Sequence, residues 1–144
     1  MLVEPCPSDD LGLVLLLVLA VKELFTRYPD SSSHPVDPET SYLVAKDEGD
    51  LVGCIGLMPV VDGMAEIKRM FVHEDHRGQG IARRLVASVE AVARHRGASS
   101  IRLATGTRQP EAVALYESSG YAVTPPYGEY VDDPAARCYL KRLE

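Results

Sequence analysis

The run His76-Arg77-Gly78-Gln79-Gly80-Ile81-Ala82 lies between an apolar segment of strand length and a segment of helical periodicity. Glycines at such a junction let consecutive backbone N–H groups point at one anion with no side chain in the way, and a helix start adds unpaired donors of its own. The chemistry on offer is the holding of a diphosphate. A tight strand-to-helix connection needs the same residues and holds nothing, so the turn alone leaves both readings open. Kinase and dehydrogenase chemistry are disfavoured, because the turn has neither the Gly-Lys-Ser/Thr of a Walker loop nor a full GxGxxG fingerprint. A cysteine hydrolase built from Cys54 or Cys138 with His34, His73, His76 or His95 is discounted. No nucleophile elbow or cysteine signature is present, and both cysteines fall in apolar strands where a small buried hydrophobe is the ordinary role. The histidines, mostly beside charged neighbours, read as surface residues.

A diphosphate turn needs a strand before it and a helix after it. Residues Ala65 to Val72 have strand length and mixed patterning, which predicts a central strand covered on both faces. From about Gly80 to Arg96, Ile81, Leu85, Val89, Val92 and Ala93 recur at helical spacing as far as Gly97. Upstream, residues 2–5 predict a short edge strand stopped by Pro5 and Pro7, and Ser8, Asp9 and Asp10 supply an N-cap and first-turn acids for a helix to about Tyr28. That helix is apolar nearly all round from Leu13 to Ala20, which predicts that it is buried or shared with a second copy in a homodimer. Pro29 to Thr40 reads as an ordered irregular loop able to line a pocket. A hairpin follows, Tyr42 to Lys46 and Leu51 to Pro59 around Asp47-Glu48-Gly49-Asp50, and then the turn Val61-Asp62-Gly63. Downstream, Ser99 to Thr105 is a strand and Pro110 to Ser119 a helix capped by Gly120; the last strands are Tyr121 to Thr124 and Arg137 to Leu143.

The 144 residues suit one domain that must carry every site, and 46% hydrophobic with 25% charged residues is far from the composition of disorder. Cys6, Cys54 and Cys138 are scattered, which suggests neither a disulfide framework nor a metal site and fits reduced cytoplasmic thiols. The most apolar stretch, Leu13 to Val21, is about half of a bilayer span and follows acids, so no membrane or export segment is expected. A net charge of -6 disfavours a nucleic-acid partner.

Two motifs carry a resemblance. Arg77-x-x-Gly80-x-Ala82 is similar to the Arg/Gln-x-x-Gly-x-Gly/Ala motif of the GNAT family of acetyl-CoA-dependent N-acetyltransferases, and it stands directly after a central strand, as in that family. Gln109-Pro110-Glu111-Ala112-Val113-Ala114-Leu115-Tyr116-Glu117-Ser118-Ser119-Gly120-Tyr121 is similar to its Asn-x-x-Ala-x-x-Leu-Tyr-Glu-x-x-Gly-Phe, with Gln109 where many members have Asn. Ala65-Glu66-Ile67 further resembles the strand of histone-type members that carries a general-base glutamate. The resemblance spans nearly the whole chain. It implies a single domain over 1–144 of α/β (α+β) class: the GNAT fold, a central mixed, mostly antiparallel sheet of six to seven strands flanked by about four helices.

The resemblance also implies roles. Acetyl-CoA is the co-substrate and no metal is needed. Arg77, Gly78, Gln79, Gly80, Ile81, Ala82 and Arg83 would meet the pyrophosphate, the amide near Met70 the thioester carbonyl, and Val72, beyond Phe71, the pantetheine amides, with Gln109 beside that arm. Glu66 would take the proton of the amine, directly or through a water; the alternative is that it pairs with Lys68 or Arg69. Tyr116 would protonate the leaving thiolate; the alternative is that it packs its ring with Leu115. Tyr127, Glu129 and Tyr130, with Asp132, Asp133, Asp37 and Glu39, would flank the mouth opposite CoA, where carboxylates and tyrosine faces suit a small cationic amine. A peptide N-terminus or lysine belongs to the same acceptor class. The rival readings are a non-catalytic acyl-CoA sensor and transfer of a longer acyl chain.

Overall fold

The computed structural model describes residues 1–29 and 38–144. Seven strands form one sheet: β1 (Leu2–Cys6), β2 (Ser41–Asp47), β3 (Asp50–Leu57), β4 (Met64–Val72), β5 (Ser100–Gly106), β6 (Ala122–Thr124) and β7 (Ala136–Arg142). Their order is β1-β2-β3-β4-β5-β7-β6, so the strand expected to be central is the middle one. Every pairing is antiparallel except β4 with β5. That parallel pair requires a crossover, which is made by the helix α2 (Ile81–His95). The other α-helices among the described residues are α1 (Leu11–Arg27) and α3 (Pro110–Ser118); single 3-10 turns at Glu74–His76 and Gly128–Tyr130 complete the set. Among the described residues the α-helices number three where about four were expected, and the architecture is unchanged. The loop expected over Pro29 to Thr40 lies mostly outside the described residues.

Side-chain alternation divides the sheet between two cores. Leu43, Ala45, Val52, Ile55, Ile67, Ile101 and Leu103 pack with α2 residues Ile81, Leu85, Val86 and Val89 and with Tyr116 of α3. Tyr42, Val44, Cys54 and Phe71 pack with Leu13 and Leu16 of α1. Successive residues of a strand point to opposite faces, so β2 feeds both layers by turns.

Two expectations need correction. β1 runs through Pro5 to Cys6, with Pro5 opposite Leu43. An edge strand has no neighbour on its outer side, so the missing N–H of proline costs no ladder bond there. α1 is not buried all round: Leu13 and Leu16 are its only buried residues, while Leu11 is 72% and Leu15 57% exposed. A helix lying on one face of a sheet can turn only one side to it.

Candidate active site

The site begins where two strands part. β4 and β5 pair at Met64 with Ser100, Ala65 with Ile101 and Glu66 with Arg102, and there the ladder stops. Each continues on its other neighbour, β4 with β3 to Val72 and β5 with β7 to Gly106. From Ile67 onward β4 therefore has a backbone edge with no strand beside it, suited to an extended ligand.

A bulge shapes that edge. Between the pairs Cys54–Phe71 and Gly56–Lys68, Ile55 alone stands against Arg69 and Met70. Arg69 adopts φ 51°, a left-handed conformation that costs a non-glycine residue about 1 kcal/mol or more. The extra residue reverses the alternation: Ala65, Ile67 and Val72 join the α2 core, whereas Phe71 joins the α1 core. Gly56 permits the close approach, since a Cβ there would stand 2.9 Å from the Lys68 carbonyl oxygen. The Cys54 thiol lies beneath, donating to the Arg69 carbonyl oxygen at 3.5 Å. Burial pushes that thiol up to about 12, so it remains an un-ionised structural group.

Between the parted strands is a cavity of about 550 Å³, walled by β4 from Glu66 to Phe71, the end of β5, Ala20, Glu23, Leu24 and Arg27 of α1 with Tyr28 at its end, Gln109 and Tyr116. A second cavity of about 270 Å³ shares Glu23, Met70, Phe71, Gln109 and Ala112 with it and continues to Val72, Arg77, Gly78, Gly80, Ile81, Ala82 and Arg83. Gly78 and Gly80 both have φ 79°, and a Cβ on either would meet nothing within 4 Å. Gly80 caps α2 with no side-chain hydrogen bond. The first-turn donors thus keep their positive end for an anion.

The side chains around this cradle are tied to the protein. Arg77 donates from Nε to the Val72 carbonyl at 2.9 Å, pairs with Glu23 of α1 at 2.8 Å and lies over the Phe71 ring. The Arg83 guanidinium reaches Ser118 Oγ at 2.9 Å and so braces α2 against α3. Gln79 is exposed and stands outside the cavity lining. The residues fit a diphosphate through backbone and glycine rather than through these side chains.

At the opposite end Glu66, Lys68 and Arg102 meet because Glu66 and Lys68 are two apart on β4 and Arg102 is the register partner of Glu66. Lys68 Nζ lies 3.0 Å from Glu66 Oε2, which also accepts from the Tyr127 hydroxyl at 3.2 Å; Arg102 Nε is 4.0 Å from Oε1. Lys68 further donates to the Tyr130 hydroxyl at 2.9 Å and to Glu129 at 3.3 Å. Burial pulls the Lys68 ammonium down, but Tyr130 and Glu66 outweigh it and hold it charged well above the usual lysine range. The pairing of Glu66 with Lys68 is therefore present alongside its place on the cavity wall. Glu129, Tyr130 and Asp133 line the cavity; Tyr127 stands behind Glu66, with Arg102 3.9 Å over its ring. Asp37 lies outside the described residues.

Tyr116 both packs in the α2 core and lines the larger cavity. Burial raises its phenol well above the usual range, so near neutral pH it is a proton donor and not a base. Its ring meets Tyr121 edge to face at 5.6 Å, and the Tyr121 hydroxyl donates to buried Glu90 at 2.8 Å. Lys141 pairs with Glu90 at 3.1 Å and donates to the Ser119 carbonyl, fixing the end of α3. Arg102 and the Glu90–Lys141 pair escaped the sequence reading. The signal for Arg102 was its position between core residues Ile101 and Leu103, which turns it to the other face of β5.

Residues 16–121 match the model of the acetyltransferase (GNAT) family. The chain belongs to that family. It is 40% identical to an IAA acetyltransferase of Azospirillum brasilense over 81% of this chain and 80% of that one. Other curated relatives, at 31% to 39% identity, are longer, and the chain spans 40% to 58% of their length. Among solved structures, a putative acyl-CoA N-acyltransferase of Klebsiella pneumoniae superposes with a TM-score of 0.85 at 29% identity, covering 99% of this chain and 97% of that one. A GNAT acetyltransferase of Elizabethkingia anophelis with acetyl-CoA bound shares the fold, with a TM-score of 0.76 at 22% identity over 99% and 97% of the chains. This GNAT chain is an acetyl-CoA-dependent N-acetyltransferase.

Proposed function

We propose that the chain acetylates a small amine by direct attack within a ternary complex. The observation that carries this is the continuity of the cleft: cradle, free edge of β4, Glu66 and Tyr116 border two cavities with shared walls. The first turn of α2 and Gly80 hold the diphosphate, and the amides of β4 from Met70 to Val72 align the pantetheine arm as an added strand. When bound, acetyl-CoA supplies an activated thioester. Glu66 takes the proton of the substrate ammonium, directly or through a water, which matters because an amine of pKa near 10 is almost wholly protonated at neutral pH. Tyr116, kept protonated by burial, donates to the departing sulfur. Holding both partners in one cleft supplies the entropic gain.

The acceptor is read as a small amine of low net charge. Glu129 and the Tyr130 ring, expected to receive a cation, already hold Lys68, and the Tyr127 ring holds Arg102. On the described cavity wall Glu23, Glu66, Glu129 and Asp133 stand against Arg27, Lys68 and Arg69, a near balance that disfavours a polycation. Unpaired Cys6, Cys54 and Cys138 support a cytoplasmic setting, and no described helix is long and apolar enough to cross a membrane. The test is CoA release from acetyl-CoA with a panel of free amines, amino acids, polyamines and peptides. A best acceptor whose turnover survives Glu66→Gln undiminished removes Glu66 from the mechanism, and acetyl-CoA binding without release to any amine favours a sensor.

A further inference from the structure

The described part of the molecule leaves one long apolar face uncovered, and it belongs to the helix that walls the catalytic cavity. Leu11, Val14, Leu15, Val18, Leu19 and Phe25 of α1 are exposed by 72%, 39%, 57%, 56%, 39% and 41%. At about 100° per residue they fall within a single arc of roughly 140°, opposite Leu13, Leu16, Ala20 and Leu24. Lys22 is the one charged residue within the arc.

We infer that this face is the two-fold interface of a homodimer, with α1 packed antiparallel on α1 of a second copy about Val18. Area supports it. The six side chains expose roughly 600 Å² of apolar surface, at the upper end of what a monomer shows, and pairing two such faces hides about 1,200 Å², the lower bound of a standard specific interface. Charge is compatible with it: antiparallel pairing about Val18 sets the acidic start of one helix, Asp9 and Asp10, beside the end of the other that carries Arg27, and opposes the two helix dipoles favourably. An apolar stripe about one dyad is self-complementary, as an isologous contact requires. A bilayer is the weaker occupant, since a membrane-surface helix is flanked by basic residues and this chain has a net charge of -6.

Light scattering after gel filtration tests the inference on the full chain at micromolar concentration. The expected mass is twice 15.7 kDa. Leu15→Glu with Val18→Glu should halve it with the circular dichroism of the wild type retained, whereas Val123→Glu, on exposed β6, should leave it unchanged. Should the double variant fail to fold, Val18→Cys serves instead: mild oxidation should give a cross-linked dimer on a non-reducing gel, and Val123→Cys should not. A wild-type monomer overturns the inference, whether or not it binds anionic vesicles, and so does a dimer that the α1 substitutions leave intact. Acetyl-CoA binding by the monomeric variant separates this outcome from a failure of the catalytic reading.

Discussion

The two ends of the cleft are built on opposite plans. At the cradle, Gly78, Gly80 and the first turn of α2 offer backbone donors on a contiguous stretch, while the nearby side chains of Arg77 and Arg83 are occupied by Val72, Glu23 and Ser118. At the end we propose for the acceptor nearly everything is side chain, gathered from β4, β5 and the loop before β7: Glu66, Lys68, Arg102, Tyr127, Glu129 and Tyr130. A backbone site tolerates changes of side chain and fails when the backbone is blocked. A side-chain network fails by degrees, because each deletion leaves other members to rearrange.

That contrast predicts a ranking. Gly80→Asp puts a β-carbon and a carboxylate at φ 79° where a diphosphate would sit, and should weaken acetyl-CoA binding by more than about 10²-fold in calorimetry. Retained binding would show that the cradle is only a connection. Glu66→Gln should lower kcat by about 10²-fold and move the optimum to higher pH, with acetyl-CoA affinity unchanged. A profile of unchanged shape would pass the base to another group.

Lys68→Met should raise the acceptor KM by roughly tenfold and leave acetyl-CoA affinity alone, because it releases Glu66, Glu129 and Tyr130 together. An equal effect on both ligands would mean that the two ends are not separable. Tyr116→Phe should cost about tenfold in kcat, less than Glu66→Gln, since water also protonates a thiolate.

The smallest effect is on stability. Burial holds the Tyr116 phenol protonated past its ordinary value of 10.0. Above that pH the unfolded chain loses this proton and the folded one keeps it. The linked stability, complete below pH 10, must then decline as pH rises, by up to about 1.4 kcal/mol per pH unit from this group. Thermal melts from pH 8 upward should show the decline, and Tyr116→Phe should make it shallower without abolishing it, because burial also holds the Cys54 thiol and the Tyr121 and Tyr127 phenols protonated.

Much of this was legible in the sequence because it depends on local patterns. The hairpin of β2 and β3, the strand, glycine turn and helix from β4 to α2, and the sheet around β4 follow from alternation, helical spacing and turn residues within a few positions of one another. The glycine turn that we propose as the cradle was legible for the same reason, and Tyr116 was singled out through the helix motif that carries it. The sequence by itself determined the family and the glycine turn between β4 and α2. Only the tertiary structure decided the rest. The register of β4 on β5 set Arg102 beside Glu66, the bulge at Arg69 turned Phe71 toward α1, and the loop before β7 brought Tyr127 onto Glu66 instead of the cavity wall. It also decided that the apolar α1 keeps one side uncovered. Each depends on which distant strand or loop lies opposite, and no spacing within the chain encodes that.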